Sequence, residues 1–319
     1  MRKLYYLWTA VAISSLTLFC LLCVGCGKTD SSTETGVWKV ESGIRIVDGV
    51  STSTVKLSNG SYRTYYVGSG GILSAISTDG LTFTLESGKR VDVGAPGEPD
   101  SAQAVNPCVV ALSDGYRMYY DGLDGSDPSS HTACRRVLSA VSSDGLVFTK
   151  EGIRIDSKSD LIDNDKASVP DIIKLANGNY LMAYVYDMYG ANSIRAAIST
   201  NEGNSITTHG AWTRLSTCEL GANAMDPDLI YINGILKMYY AQTIFTSDRS
   251  ASMKIISATS SDNGNTWTKD ADIAVVPTHY TTNLVGDPDI VETSAGNFRL
   301  YYYEFKSDTG SDIFSATYP

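Results

Sequence analysis

The sequence predicts an all-β protein, a five-bladed β-propeller closed by an N-terminal outer strand. The first observation is a repeated pattern: an aromatic strand at residues 62–66, a small-residue strand at 72–75, a turn at 77–80 and a closing segment at 83–90. The second is composition, because 20 Tyr, 28 Gly and 43% hydrophobic residues suit half-buried strands joined by tight turns. Repetition of a short sheet at this spacing indicates a radial or linear array rather than one large core. Further copies of the pattern begin at Tyr116, Tyr180, Lys237 and Phe298.

The third observation is that one copy is split between the two ends of the chain. The last copy has its inner strands but lacks a closing segment, whereas residues 38–45 match the closing segment and have no strands before them. If residues 37–46 pair as the outer strand of the last sheet, both open edges are satisfied and a ring closes. In an open solenoid the first and last repeats do not meet, so the two halves of a split copy would stay unpaired.

The N-terminus has the features of a secretory signal. Arg2 and Lys3 precede an apolar stretch that runs from Leu4 to about Val24, and a small residue comes just before Cys26. This arrangement resembles a bacterial lipobox, which implies a lipoprotein signal peptide at residues 1–25 and lipidation of Cys26. We therefore expect a polar tether at 26–36, a propeller at 37–319, and a lipid-anchored protein of the cell envelope outside the cytoplasm. A transmembrane anchor is the alternative.

Charge and cysteine content exclude several kinds of partner. The net charge is −10, and removing residues 1–25, which carry two cations and no acid, makes it −12. Nucleic acid is therefore not expected as a partner, and anionic polysaccharides are disfavoured unless a local basic pocket overrides the average. Three cysteines remain after Cys26, at 108, 134 and 218, with neither a disulfide framework nor zinc spacing. We expect a monomer.

Candidate functional residues lie where the innermost strand of each blade begins. In a propeller these strand starts crowd the axis at the end that also carries the loops, and loops on a rigid scaffold usually carry function. Four starts place Pro at the same register, where no ladder N–H is needed; ordinary turn chemistry is the alternative. Carboxylates brought together at an axis share protons, or bind a cation or sugar hydroxyls. The starts read Ser51-Thr52-Ser53, Asn106-Pro107-Cys108, Val169-Pro170-Asp171, Asp226-Pro227-Asp228 and Asp287-Pro288-Asp289.

This arrangement resembles the five-bladed glycoside hydrolase superfamily that includes the arabinanases and xylosidases of family 43 and the β-fructosidases of family 32. The resemblance implies a hydrolase acting on glycosidic bonds of an extracellular carbohydrate. In family 43 the first motif begins with an Asp that acts as general base, and here Asn106 stands there instead. Asp226 matches the acid that tunes the proton donor, and Asp287 stands where the family has its catalytic Glu.

The predicted catalytic residues are accordingly Asp171, Asp226 and Asp287. The predicted substrate-binding residues are Asn106, Asp228, Asp289, His279, Tyr280 and Glu304. Glu304 is also a candidate proton donor at a strand exit, and a solvated loop acid beside Lys306 is the alternative. No cofactor is required, and a calcium ion held by carboxylates and water in the axial channel is a candidate.

The opposite end of the propeller carries a motif that we interpret as structural. Residues 260–267 match the Asp-box of sialidases, in which Ser and Asp fix a turn and the aromatic residue packs between blades. The cations that recur at the base of the second strand are expected to reach the turn acids, giving the pairs Arg63 with Asp79, Arg117 with Asp144 and Lys237 with Asp262.

Two functions compete on this evidence. The first is glycoside hydrolysis; the second is a non-catalytic glycan-binding or surface scaffold protein that has lost its base at Asn106. Two acids about 5 to 9.5 Å apart across an open pocket favour hydrolysis, and a pocket filled by side chains favours the scaffold.

Overall fold

The computed structural model describes residues 37–69, 71–125, 134–202, 205–245, 251–307 and 310–319. These residues form five four-stranded antiparallel sheets, so the predicted five-bladed propeller is confirmed. The helical content of the described ranges is one 3-10 turn, Ser157–Ser159, and none of it has the length and apolar character needed to cross a bilayer. The predicted signal peptide, the tether and the lipidation site at Cys26 lie outside the described residues, which begin at residue 37.

Each blade is a meander whose first strand lies at the axis, where the first strands of successive blades contact each other. Blade 1 consists of β2 (Val50–Lys56), β3 (Tyr62–Gly68), β4 (Gly71–Ser77) and β5 (Thr84–Val91). Blade 2 consists of β6 (Gln103–Ala111), β7 (Tyr116–Asp124), β8 (Cys134–Ser142) and β9 (Thr149–Ile155). Blade 3 consists of β10 (Ser168–Lys174), β11 (Tyr180–Met188), β12 (Ala191–Ser199) and β13 (Thr213–Thr217). Blade 4 consists of β14 (Ala224–Ile232), β15 (Ile235–Phe245), β16 (Ala251–Ser260) and β17 (Thr268–Val275).

Blade 5 joins the two ends of the chain, as the split repeat predicted. Its strands are β18 (Val285–Ser294), β19 (Asn297–Phe305) and β20 (Ser311–Tyr318), with the N-terminal β1 (Lys39–Ile46) as the outer strand. β1 runs antiparallel to β20 and pairs Lys39 with Thr317 and Glu41 with Ser315. The outer edge of β20 is therefore hydrogen-bonded, which closes the ring.

An aromatic residue before each outer strand packs against the preceding blade. Trp38 lies edge-on to Tyr239 at 5.7 Å between ring centroids, and Phe148 lies edge-on to Tyr65 at 5.8 Å. Edge-to-face pairs of this kind add to the stability that burial alone gives. Trp38 thus has the same edge-on geometry that Phe83 and Trp212 show in their blades.

The predicted pairing of basic residues with turn acids is wrong. Arg63 pairs with Glu86 on the outer strand of its own blade at 2.9 Å and donates to the main-chain oxygen of Asp144 in the next blade. Arg117 likewise pairs with Glu151 and Glu202, and Lys237 pairs with Asp270. None of these three cations lines the cavity at the axis, and their ion pairs join parts of the scaffold.

The physical reason lies in the turns themselves. Asp79 accepts the backbone N–H groups of Leu81 and Thr82, both at 2.8 Å, and Asp144 does the same in blade 2. These amide donors lower the pKa of both carboxyls to about 2. The turn amides therefore satisfy the Asp79 and Asp144 carboxylates. Arg63 and Arg117 pair instead with the outer-strand acids Glu86 and Glu151.

Candidate functional site

The site begins with a backbone irregularity that recurs in all five blades. The residue before each Pro, or before Thr52 in blade 1, has a positive φ, between 47° and 56°. The pairing of the first and second strands shifts register at the same place in every blade, which is the mark of a β-bulge. A bulge re-aims a side chain, and here it directs five side chains to the axis: Ser51, Asn106, Val169, Asp226 and Asp287.

Val169 shows that the fold imposes this conformation. A β-branched residue with φ of 48° is strained, and such strain persists where the surrounding structure over-determines it. The following Pro170 has no N–H to lose to the ladder. The bulge therefore belongs to the ring as a whole, whatever side chain each blade supplies.

The five side chains line a small axial cavity of about 30 Å³. Its walls also contain the prolines and the residues two positions further along each strand. A space of this size holds about one water molecule. The axial cavity is thus nearly filled by side chains.

Asp226 and Asp287 lie in direct contact at this cavity. The backbone N–H of Asp287 donates to Asp226 Oδ2 at 3.3 Å, which sets the two acids side by side at the axis. Burial, reinforced by the charge of Asp287, raises the pKa of Asp226 well above its usual range. Burial also raises the pKa of Asp287. Two carboxyls this close cannot both ionise readily, so the pair holds a proton.

Asn106 connects this pair to a buried ion pair through Ser51. Ser51 Oγ lies 2.6 Å from Asp287 Oδ2 and 2.8 Å from Asn106 Oδ1. Asn106 Nδ2 donates to Asp121 Oδ2 at 3.1 Å, and the Arg135 guanidinium contacts both oxygens of Asp121 at 3.0 Å. One continuous hydrogen-bonded chain therefore runs from Arg135 to Asp226.

The predicted site residues Asp171, Asp228 and Asp289 have a second set of contacts. Each accepts a backbone N–H from the first strand of the next blade: Asp171 from Leu229 at 2.7 Å, Asp228 from Ile290 at 3.2 Å and Asp289 from Thr54 at 3.0 Å. Ser53 accepts the N–H of Val109 in the same way. These side chains tie neighbouring blades together at the axis.

Burial gives these inter-blade acids unusual protonation behaviour. It raises the pKa of Asp171 to about 6, and it raises the pKa of Asp228 and of Asp289, with mutual repulsion adding to the effect for Asp171 and Asp228. All three acids form part of the cavity wall. Their predicted catalytic and substrate-binding roles stay predictions.

Glu304 is not the exposed loop acid that the sequence allowed. It is fully buried and accepts the backbone N–H groups of Thr278, His279 and Tyr280 at 2.8 to 3.2 Å. Its Oε1 also lies 2.8 Å from His279 Nδ1, and the His279 ring stacks on Phe314. The carboxylate thus anchors the segment that enters blade 5, and Glu304, His279 and Tyr280 do not line the axial cavity.

The described residues contain no group of three or more His, Cys, Asp or Glu side chains arranged to hold a metal ion. In the axial channel, Asp171, Asp228 and Asp289 each direct an oxygen to a backbone amide. A calcium ion in this channel therefore stays a prediction, and we assign no ligands to it.

Three members of the network were not among the predicted site residues: Ser51, Asp121 and Arg135. Ser51 had a signal, since it occupies the register of Asn106 and Asp287, but it lacks the following Pro. Asp121 comes directly after the aromatic strand pattern of blade 2, which places it near the axial end. Arg135 shows no pattern that distinguishes it from a surface cation.

Comparison with solved structures finds the same fold in several glycosidases. No protein-family model matches the sequence, and no curated protein gives a significant match. Among solved structures, a thermostable family-43 glycoside hydrolase has a TM-score of 0.61 at 13% identity, with coverage of 88% of this chain and 91% of the other. The Cellvibrio cellulosa α-L-arabinanase complexed with arabinohexaose has a TM-score of 0.61 at 11% identity, with coverage of 85% and 92%.

A family-32 β-fructofuranosidase from Bombyx mori in complex with sucrose has a TM-score of 0.61 at 11% identity, covering 87% of this chain and 61% of the other. Structural likeness at identities this low establishes the fold alone. The chain is therefore a five-bladed propeller, and its structural neighbours include an arabinanase complexed with arabinohexaose and a β-fructofuranosidase complexed with sucrose.

Proposed function

We propose that this protein is a glycoside hydrolase acting on extracellular glycans, with Asp287 as the proton donor and Asp226 as its partner. The observation that carries the proposal is that Asp226 and Asp287 lie together at the axial cavity, where Asp226 accepts the backbone N–H of Asp287. Because burial raises the pKa of both carboxyls, the pair keeps a proton to higher pH than ordinary aspartates do, and a carboxylic acid is available to protonate a leaving oxygen. The lipid anchor at Cys26 and a location in the cell envelope are part of the same proposal.

The contact between the two residues supports a role for both acids in one half of the chemistry. A nucleophile and acid in a retaining glycosidase stand about 5 Å apart, and an acid and base in an inverting one stand further apart. Asp226 accepts the backbone N–H of Asp287 at 3.3 Å, so the two acids are immediate neighbours. They therefore fit a proton donor with a neighbour that controls its protonation, and not a donor with its base.

A non-catalytic glycan-binding protein is the second candidate, and two observations favour it. An amide cannot accept the proton of an attacking water, and Asn106 stands where family 43 has its base. The cavity of about 30 Å³ also leaves little open space at the axis. On this alternative the propeller and its acid pair bind sugar hydroxyls without cleavage.

The test uses the protein from Lys28 onward, screened against chromogenic glycosides, with Asp287→Asn and Asp226→Asn as variants. Loss of a general acid or its controlling partner should reduce turnover about a hundredfold or more. Asp92→Asn serves as the control, because Asp92 is exposed and pairs only with Lys89 in the described contacts. Circular dichroism checks that each variant folds.

Two outcomes count against the proposal. Turnover within a fewfold of the parent in both variants would remove the assigned roles. Binding of a glycan without turnover by the parent would establish the non-catalytic alternative.

A further inference from the structure

The network around Asn106 can be followed proton by proton, beginning at Arg135. A guanidinium has donors and no acceptor, and it contacts both oxygens of Asp121 at 3.0 Å. Asp121 is fully buried. Burial raises the pKa of its carboxyl, and the Arg135 charge opposes that shift. Because Arg135 Nη1 contacts each Asp121 oxygen at 3.0 Å and can only donate, both oxygens act as acceptors.

This fixes the orientation of the Asn106 amide. Asp121 Oδ2 lies 3.1 Å from Asn106 Nδ2, and an acceptor oxygen requires the NH₂ side of the amide to face it. The amide oxygen Oδ1 must then face Ser51 Oγ, at 2.8 Å. An amide oxygen only accepts, so the hydrogen in this contact comes from Ser51.

A serine hydroxyl has one proton. Since Ser51 gives it to Asn106, Ser51 has none left for the 2.6 Å contact with Asp287 Oδ2. The proton in that short contact must come from Asp287. The chain of donors therefore runs in one direction, from Asp287 through Ser51 and Asn106 to Asp121.

We infer that Ser51 is a positioning residue that, together with Asn106, holds Asp287 in its carboxylic-acid form with the proton on Oδ2. Its importance for catalysis rests on the proposed function, whereas the position of the proton can be measured without any substrate. The amide at 106 is needed in this arrangement, because an aspartate there would face the Asp121 carboxylate across 3.1 Å.

Other groups around Asp287 bear on its proton. Asp226 on β14 is in contact with it, and the Tyr303 phenol on β19 is close enough to both acids for their charges to raise its pKa further, beyond the effect of burial. Lys166 lies within electrostatic range of Asp226 and Asp121, with its ammonium bonded to Asn192 Oδ1 at 2.5 Å. These neighbours are present in every variant below, so differences between variants report on Ser51 and Asn106.

The experiment measures the infrared C=O band of the protonated carboxyl as a function of pH, assigned by its loss in Asp287→Asn. The variants are Ser51→Gly and Asn106→Gly, since both positions have φ above 50° and glycine adopts that conformation without strain. Ser74→Ala is the matched control, because it removes a serine that bonds Glu86 at 2.6 Å in the outer part of blade 1.

The inferred direction predicts the sign of each change. Ser51→Gly removes the acceptor of the Asp287 proton, and Asn106→Gly frees the Ser51 hydroxyl to stabilise the Asp287 carboxylate. Both should lower the pH at which the band disappears, by about one pH unit, the size expected for one hydrogen bond. Ser74→Ala should leave the titration unchanged.

The opposite result is equally defined. If Ser51 donates to Asp287 instead, Ser51→Gly raises the titration pH and Asn106→Gly leaves it in place, which overturns the inference. No shift in either variant overturns it as well. Failure of the proposed function is distinct from both results, because a protein without turnover still yields the infrared titration.

Discussion

Replacing Asp171 with asparagine should make the propeller more stable at neutral pH. The carboxyl is held between blades, where Oδ2 accepts the Leu229 N–H and Oδ1 contacts Cys108 Sγ at 3.1 Å. Asparagine keeps an oxygen for the Leu229 amide and directs its NH₂ group to the sulfur. The substitution therefore removes the charge and keeps the link to the next blade.

The size of the effect follows from the pKa of Asp171, which burial raises from 3.8 to about 6. Between these values the folded protein binds a proton that the unfolded chain has released, so stability falls as pH rises through this window. Above about pH 6 the whole loss is present, and two pH units correspond to about 3 kcal/mol. The asparagine variant does not titrate and avoids this loss.

Urea denaturation between pH 4 and pH 8 tests this. The variant should match the parent near pH 4 and exceed it by up to about 3 kcal/mol at pH 7. Asp92→Asn is the control of opposite sign, because the Lys89 hydrogen bond lowers the pKa of Asp92. Parallel curves for the parent and Asp171→Asn would show that Asp171 releases its proton in the folded state as readily as in the unfolded chain, which refutes the reasoning.

Three further predictions concern the scaffold. Deleting residues 37–47 should expose the edge of β20 and cause aggregation, seen by size-exclusion chromatography; a monomeric product that melts like the parent would contradict the closure role. Arg117→Met leaves the buried Glu202 carboxylate without its cation and removes one of the two cations that contact Glu151 among the described residues, so it should cost about 3 to 5 kcal/mol in urea denaturation, against at most about 1 kcal/mol for the exposed Lys89→Met; equal losses would argue against the buried network. Glu304→Gln should speed amide hydrogen exchange at residues 278–280, where the carboxylate now accepts three N–H groups; unchanged exchange there would rule out that anchoring role.

The architecture could be predicted because it follows from short-range patterns in the sequence. Alternating strands, Gly turns and a split repeat recur within tens of residues, and each copy specifies the same four-strand meander. The displaced closing segment at 38–45 was enough to predict that β1 completes blade 5. The register of Asn106, Asp226 and Asp287 could also be predicted, because the following Pro marks one position in each first strand.

The pairings of the basic residues could not be predicted in the same way. Arg63 and Asp79 recur together, yet the turn amides saturate Asp79 and Arg63 binds Glu86 instead. The exposure of Glu304 was also beyond the sequence, since the segment that buries it lies 24 to 26 residues earlier in the chain. Both outcomes depend on which donors are nearest in space, and spacing along the chain does not report that.

The sequence by itself therefore determined the repeat, the closure of the ring and the positions that face the axis. Only the tertiary structure decided which of those side chains touch and which carboxyls are buried. Ser51 and Asp287 are 236 residues apart along the chain, and the ring brings them to 2.6 Å. Strand formation depends on neighbours within a few residues, whereas the protonation of a buried acid depends on burial and on donors within a few ångströms, and here ring closure supplies both.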